Sequence, residues 1–578
     1  MSGTIHVEPA APGWSSPAQA SENPGEQAWL IDSKDQRQVA LACLINTNEA
    51  MRHRAADCRL ADIVDVTELV ALQLAHVQAA GSALTPARIG MLRHVGQELA
   101  HQLDAHFDGK PIDARVAPVL RNLVVSMLPA ICAASAGPGA ATVPRFYLSV
   151  NHKFQIAFCG ALAWMLLSIY LAQPWIGDLA QAIGPTLAIF AITGIAIIPG
   201  FMNAFLLIGL GMDKRPRHTR LEHYPAITIL IAAYNEAESI AQTITSIALQ
   251  AYPGKLEVII VDDGSQDATC ALVEELAPRH PWLRLLRMET NGGKAAALNH
   301  ALKQARASLV ITVDADSYLY TSALRSIVER YFEDPRTTRA VAGTVLVRNS
   351  RASWITKAQE WDYFHGISAI KRVQSLFQGT LVAQGAFSLY DRATLLHVKG
   401  WPDCVGEDIV LTWAILKEGY RIGHSEEAYV FTNAPATLLQ FVRQRQRWSR
   451  GMIEGFKQHP DIMLKAQLST FFVYWNLLFP FLDLAFTLCF IPGIVLALFG
   501  HYAIVGPMTL ALLPMGLGMN FLMYSIGNKS FQHLDLKVRR NFPGFLIYTL
   551  GYSLIMQPAC LVGYGCELLG LKKTWGTK

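Results

Sequence analysis

The chain has 578 residues, 52% of them apolar and only 16% charged, and carries a net charge of +4 at pH 7. Its length exceeds one ordinary domain and predicts three or four units, and its composition sets it apart from ordinary soluble proteins. The small charge, without a basic run interleaved with aromatics, excludes nucleic acid as a partner, and the nine cysteines form no pattern that indicates a zinc site or a disulfide framework.

Residues 1–26, rich in Pro, Ala, Ser and Gly, are expected to be disordered. They lack the basic start and apolar core of a signal peptide, which predicts a cytoplasmic N-terminal region. Residues 27–132 carry Leu69, Val70, Leu72 and Leu74, then Met91, Leu92, Val95 and Leu99, near helical spacing. They predict a small helical domain without a catalytic constellation, a regulatory or docking module. Residues 133–145 form its linker, so that 27–145 make one unit.

Two apolar spans follow within 151–212, at about 154–176 and 183–212. Each exceeds the roughly 20 residues that a bilayer core requires. Asp178 is the one charge between them, whereas Lys153 precedes the first span and Lys214, Arg215, Arg217 and Arg220 follow the second. The positive-inside rule places both flanks in the cytoplasm.

Residues 222–467 alternate strands with helices and predict an α/β domain with a mainly parallel sheet. ITILIAAY (227–234) is a β-rich run, and LEVIIVDD (256–263) and SLVITVDAD (308–316) are apolar strands that end in acids. In such sheets ligands bind at the carboxyl ends of the strands. Beyond them, 468–571 holds three more apolar stretches, at about 471–499, 503–527 and 542–570. The connection 528–541 carries Lys529, Lys537, Arg539 and Arg540, and the tail 572–578 carries Lys572, Lys573 and Lys578. Both favour the cytoplasm, yet three crossings would put the tail outside. One stretch is therefore expected to lie in the interface or re-enter. Pro480 and Pro492 single out the first, Pro558 the last.

Five motifs carry the chemistry. Asp262 and Asp263 end a strand before Gly264 and Ser265, where a carboxylate accepts hydrogen bonds from a base or ribose; an Asp-Gly turn cap reads the same way. Asn291-Gly292-Gly293-Lys294 precedes a helix, and a helix start with a lysine favours an anion such as phosphate. Asp314 and Asp316 place two carboxylates at a buried strand end, a costly arrangement that a divalent cation relieves. Hard oxygen ligands suit Mg²⁺ or Mn²⁺, which also bridge a diphosphate. Gly406-Glu407-Asp408 opens a helix; Asp408 is the candidate general base and Glu407 its support, although acids in a first helical turn also cap it.

Gln444-Arg445-Gln446-Arg447-Trp448 lies just ahead of a membrane segment, with Arg443 and Arg450 beside it. Arginines offer bidentate contacts to diphosphate, and Trp448 offers a flat face for a sugar ring. A basic helix on anionic lipid would look similar and is compatible with that role.

Together these motifs, in this order across about 150–578, resemble the membrane-embedded processive family-2 β-glycosyltransferases. That group includes cellulose, hyaluronan, chitin-oligosaccharide and poly-β-1,6-N-acetylglucosamine synthases, and QRQRWSRG and the layout of spans resemble the last of these most. The resemblance implies a cytoplasmic GT-A-like glycosyltransferase domain embedded between transmembrane helices in the bacterial inner membrane. It also implies a UDP-sugar donor, a growing polysaccharide acceptor, and a small membrane accessory subunit or outer-envelope export partners. By the same resemblance Tyr234, Glu236, Asp263 and Lys294 hold the uridine diphosphate. Asp314 and Asp316 bind diphosphate and metal, Asp316 more directly, and Asp408 is the base. Gln444, Arg447 and Trp448 line the acceptor and diphosphate site. QGAFSLYDR (384–392) matches a loop near the acceptor, and Trp575-Gly576-Thr577 resembles a tail motif of hyaluronan synthases. Two departures stand out: Gly406 replaces the family's usual Thr, and the first 145 residues have no counterpart in the family core. The implied reaction is inverting polymerisation of UDP-N-acetylglucosamine, or else UDP-glucose. Single-sugar transfer to a lipid carrier and a catalytically silent membrane receptor are the rivals.

Overall fold

The computed structural model describes residues 148–213, 220–506 and 541–572, with separate positions between 509 and 525. The expected helical domain in 27–145, the basic connection at Lys529–Arg540 and the Trp575 tail lie outside the described residues.

Among the described residues four helices are long and apolar enough to cross a membrane: α1 (Val150–Leu171), α2 (Pro185–Met212), and two later ones at Leu468–Leu498 and Phe542–Leu568. The first and last C-terminal stretches are thus both of spanning length, prolines included. Pro492 lacks the N–H that a helix needs, and a π-helical turn at Phe486–Phe490 immediately precedes it. Most of the 503–527 stretch is not described.

Between the helix pairs lies an eight-stranded sheet in the order β3-β2-β1-β4-β7-β6-β8-β5. Its first half, β1 (Ile227–Ala233), β2 (Leu256–Asp262), β3 (Leu283–Arg287) and β4 (Leu309–Val313), is parallel throughout. Helical crossovers join these strands, as parallel neighbours require. The second half is mixed: β5 (Tyr318–Leu319), β6 (Thr338–Val347), β7 (Phe387–Asp391) and β8 (Arg421–Thr432) make three antiparallel pairings and one parallel pairing. The expectation of a mainly parallel sheet therefore holds only for the first half. The reason is geometric: β7 runs against β4 with Val313 opposite Phe387, so the loop entering β7 meets the acids leaving β4. The Asp314 N–H donates to the Ala386 carbonyl across this junction (3.3 Å).

Strand alternation divides the core. Ile227, Ile229 and Ile231 point to one face, with α3 (Ile240–Ala248) packed there through Ile240, Ile244 and Ile247. Leu230, Ile259, Val261 and Val310 point to the other face, against α4 (Lys294–Gln304). That second core runs on without a break through Phe377 and Trp413 to Phe205 of α2 and Phe472. Phe205 contacts the rings of Phe377, Phe471 and Trp475 at centroid separations of 4.9–5.7 Å. One face of the sheet is therefore anchored to the membrane-capable helices, which leaves its strand ends free to build a site.

Candidate active site

The parallel half supplies acids and a lysine from three strand ends. β1 releases the chain into Tyr234-Asn235-Glu236, where Asn235 takes a positive φ of 55°, a conformation that asparagine tolerates. After β2, the Asp263 carboxylate accepts the N–H groups of Gly292 (2.7 Å) and Gly293 (2.8 Å). Gly293 sits at φ 85° and caps α4, whose first residue is Lys294. Asp263 thus holds the turn that aims Lys294.

The Lys294 ammonium lies 2.5 Å from Asp314 Oδ1 and 3.7 Å from Glu407 Oε1. Burial by itself lowers its pKa, but Asp314, Glu407 and Asp408 outweigh that and raise it. It is therefore a fixed cation joining the two halves of the site. Asp316 accepts the Thr432 hydroxyl at 3.3 Å. Its burial, then the nearby Asp314 and Glu236 carboxylates, push its pKa up to about 6. Crowded carboxylates of this kind are the hard-oxygen donors that Mg²⁺ and Mn²⁺ prefer. Among the described residues no three His, Cys, Asp or Glu side chains converge into a complete metal site. An ion there would draw further oxygens from water or a bound diphosphate.

The opposing wall comes from α5 (Glu407–Lys417) and α6 (Leu438–Gln458). The Gly406 N–H donates to Glu454 Oε2 of α6 at 2.8 Å. A β-carbon on Gly406 would stand 2.4 Å from the Gly451 Cα, so the two helices touch backbone to backbone there. A β-carbon on Gly451 would likewise meet the Gly406 Cα, at 2.7 Å, so the close approach requires glycine on both sides. Glu407 is buried beneath the site, and burial, opposed by Lys294 and reinforced by Asp408, carries its pKa up to about 7. Asp408 is half-buried and faces the cavity.

A capping box between Thr437 and Gln440 starts α6, which presents Gln444, Arg447 and Trp448 to the same cavity. Trp448 is held from behind. The buried Arg445 guanidinium lies 4.2 Å from its ring centroid and pairs with Asp362 at 2.9 Å, and Asp362 also accepts the Tyr552 hydroxyl at 2.9 Å.

One cavity of about 1120 Å³ gathers Glu236, Lys294, Asp314, Asp316, Glu407, Asp408, Gln444, Arg447 and Trp448. Tyr234 and Asp263 do not line it: Tyr234 is 46% exposed beyond β1, and Asp263 is buried behind the glycine turn. Gln384 and Gly385 of the β7 loop do line it, as do Asn476 and Phe479 of the Leu468–Leu498 helix. Sequence reading passed over Asp362 and Lys371, which also line it, and gave Arg445 no role beyond the arginine cluster. Arg445 lay inside a recognised motif; Lys371, in the mixed helix Ile370–Leu376 beside Arg372 and Gln374, gave no signal.

Acids and a lysine at the strand ends of a parallel half-sheet, facing a carboxylate on a helix of the mixed half, define a GT-A-like glycosyltransferase domain. Residues 228–398 match the family model described as glycosyl transferase family 2, and the chain carries a family-2 glycosyltransferase domain. Over 265 residues it is 31% identical to the poly-beta-1,6-N-acetyl-D-glucosamine synthase of Staphylococcus aureus (strain COL), covering 44% of this chain and 63% of that protein. To the protein of the same name from Staphylococcus epidermidis it is 32% identical over 264 residues, with the same coverage. The chain thus spans 63% of the length of these curated relatives. A solved structure of the mannosyltransferase PcManGT from Pyrobaculum calidifontis, in complex with GDP-Man and Mn²⁺, is 22% identical, with a TM-score of 0.48 over 69% of this chain and 100% of that one.

Proposed function

We propose that the protein is a processive, inverting β-glycosyltransferase that polymerises UDP-N-acetylglucosamine, with UDP-glucose as second choice, into an exopolysaccharide. The observation that carries this reading is the single cavity in which Asp408 faces the Lys294–Asp314 pair, with Gln444, Arg447 and Trp448 on the adjoining wall. Similarity to synthases of poly-β-1,6-N-acetylglucosamine supports the choice of donor.

In this reading UDP binds at the strand ends, its diphosphate between Lys294 and Arg447. Asp316 and Asp314 would hold Mg²⁺ or Mn²⁺, which neutralises charge on the departing diphosphate. Asp408 takes the proton of the acceptor hydroxyl. The new bond from that oxygen to the anomeric carbon forms as the bond to the diphosphate breaks on the opposite face, inverting the centre. Trp448, backed by Arg445, stacks the acceptor sugar. Glu407, whose pKa burial lifts to about 7, is partly protonated near neutral pH and so carries less negative charge beside the base.

Asn476 and Phe479 bring a membrane-capable helix to the cavity wall, which supports passage of the growing chain through the spans. The catalytic domain faces the cytoplasm of a bacterium, where nucleotide-sugars are made, and the helices cross the inner membrane. Residues 27–145 serve as a regulatory or docking module.

Purified protein in nanodiscs, offered radiolabelled UDP-N-acetylglucosamine or UDP-glucose with Mg²⁺ or Mn²⁺, tests the reading. A polymer from one donor, absent with Asp408→Asn, is expected. A glycolipid bearing one added sugar would replace processivity with single transfer. Protein that neither binds UDP nor forms any product would sink the enzymatic reading.

A further inference from the structure

Beyond Asp408, the cavity wall is formed by α7 (Ile370–Leu376, a short helix of the domain) and by the Leu468–Leu498 helix. Ile370, Leu381 and Phe479 make this part apolar, yet Lys371 stands among them, 8% exposed. Among the described residues no hydrogen bond or ion pair takes up its ammonium. Burial pushes it down to about 7, and Asp408 is the charge that pulls it back. Burying an ammonium without a partner is costly, whereas an apolar side chain of similar volume carries no such penalty.

Lys294 contacts Asp314 and Glu407 and also feels Asp408, whereas Lys371 feels Asp408 alone among the acids of the site. Asp408 therefore acts on both lysines, and all three line the same cavity. Alongside Lys371 the cavity is lined by the amides of Gln374 and Asn476. A lysine gives three donors and no acceptor, and the amides give both. That set suits a neutral pyranose bearing hydroxyl and N-acyl oxygens.

We propose that Lys371 is an acceptor-positioning residue, donating to an oxygen substituent of the sugar whose hydroxyl Asp408 deprotonates. The inference rests on the functional reading above. Lys371 takes no part in bond exchange: the proton goes to Asp408, and UDP leaves with the electron pair of the broken bond. Its contribution is to fix the attacking hydroxyl against the base.

The test uses full-length protein in nanodiscs, with UDP-N-acetylglucosamine and a soluble β-linked N-acetylglucosamine trisaccharide as acceptor. Lys371→Met should raise the KM for the trisaccharide by roughly tenfold or more, the effect of one charge-assisted hydrogen bond. The KM for the donor and the Kd for UDP should stay near wild type. Lys371→Gln, which keeps a donor, should fall between. The thermal midpoint of Lys371→Met should not drop, because an unpaired buried charge has been removed. Should the methionine variant fail to fold, the glutamine variant decides by the same ratio of KM values. An unchanged acceptor KM, or an equal rise in both KM values, overturns the inference while leaving the functional reading intact. Wild-type protein that binds UDP but forms no product from either nucleotide-sugar, with or without the trisaccharide, overturns both.

Discussion

The two halves of the catalytic domain are built on different plans. In the parallel half the functional groups follow the strand ends, and hydrogen bonds between neighbouring strand-end loops aim them: Asp263 holds the Gly292-Gly293 turn, and that turn delivers Lys294. In the mixed half the groups come from helices far apart in sequence. Gly406 meets Gly451, Arg445 meets Asp362, and Lys371 shares a wall with Asn476. The first half resembles a preformed receptor for a nucleotide. The second is an assembly whose geometry depends on how α5, α6, α7 and the membrane-capable helices pack. Binding and turnover should therefore respond to substitution separately.

Asp408→Asn tests that separation most strongly. Removing the base should cut kcat by about 10³-fold, while calorimetry with UDP should give a Kd near wild type. A matching loss of UDP affinity would show that the halves do not divide the work. Lys294→Met is the converse. It leaves Asp314 and Glu407 without their cation and should weaken UDP binding by roughly 10- to 100-fold, read by the same titration. Gly406→Thr, which restores the family's usual residue, should destabilise by about 1–3 kcal/mol, because its β-carbon meets the Gly451 backbone. Thermal unfolding in detergent measures this, and an unchanged midpoint would refute the close contact of α5 with α6.

The smallest effect expected is on pH dependence. Glu407 has an ordinary value near 4.5 when unfolded and about 7 when folded. Between these values the folded protein keeps a proton that the unfolded chain releases. The stability tied to that proton is complete below about pH 4.5 and is lost as pH rises through 7. Glu407→Gln cannot ionise, so its midpoint should rise relative to wild type by a few degrees from pH 5 to pH 7.5. Asp316 shifts in the same direction and His365, held down by burial to about 4, in the opposite one; both cancel in the difference between variant and wild type. A flat difference would place Glu407 in an ordinary environment.

Much of the donor side was legible without coordinates. Strands such as ILIAA and LEVIIVD announce themselves by composition, and an acid directly after an apolar strand must emerge at its carboxyl end. The helix start at Lys294 follows from two glycines before an alanine-rich run. The wall facing it was legible only in part. Asp408 and Trp448 could be found because they sit in compact motifs, but the contact between those motifs was invisible, since Gly406 and Gly451 are 45 positions apart in the numbering. The antiparallel turn of β7 onto β4 was also missed, because an apolar strand carries no mark of its direction.

The sequence by itself determined the class of fold, the strand ends that carry acids, the membrane-capable segments and the family resemblance. Each of these depends on neighbours within a few residues: periodicity, turn chemistry and motif spacing. Tertiary structure alone decided that β7 lays its loop against Asp314, that Arg445 backs Trp448, that Asp263 faces a turn instead of the cavity, and that Lys371 is buried beside the base. These facts depend on which surfaces pack together. Packing is set by the shape of the whole core, where groups far apart in the chain become neighbours because their apolar surroundings leave water together.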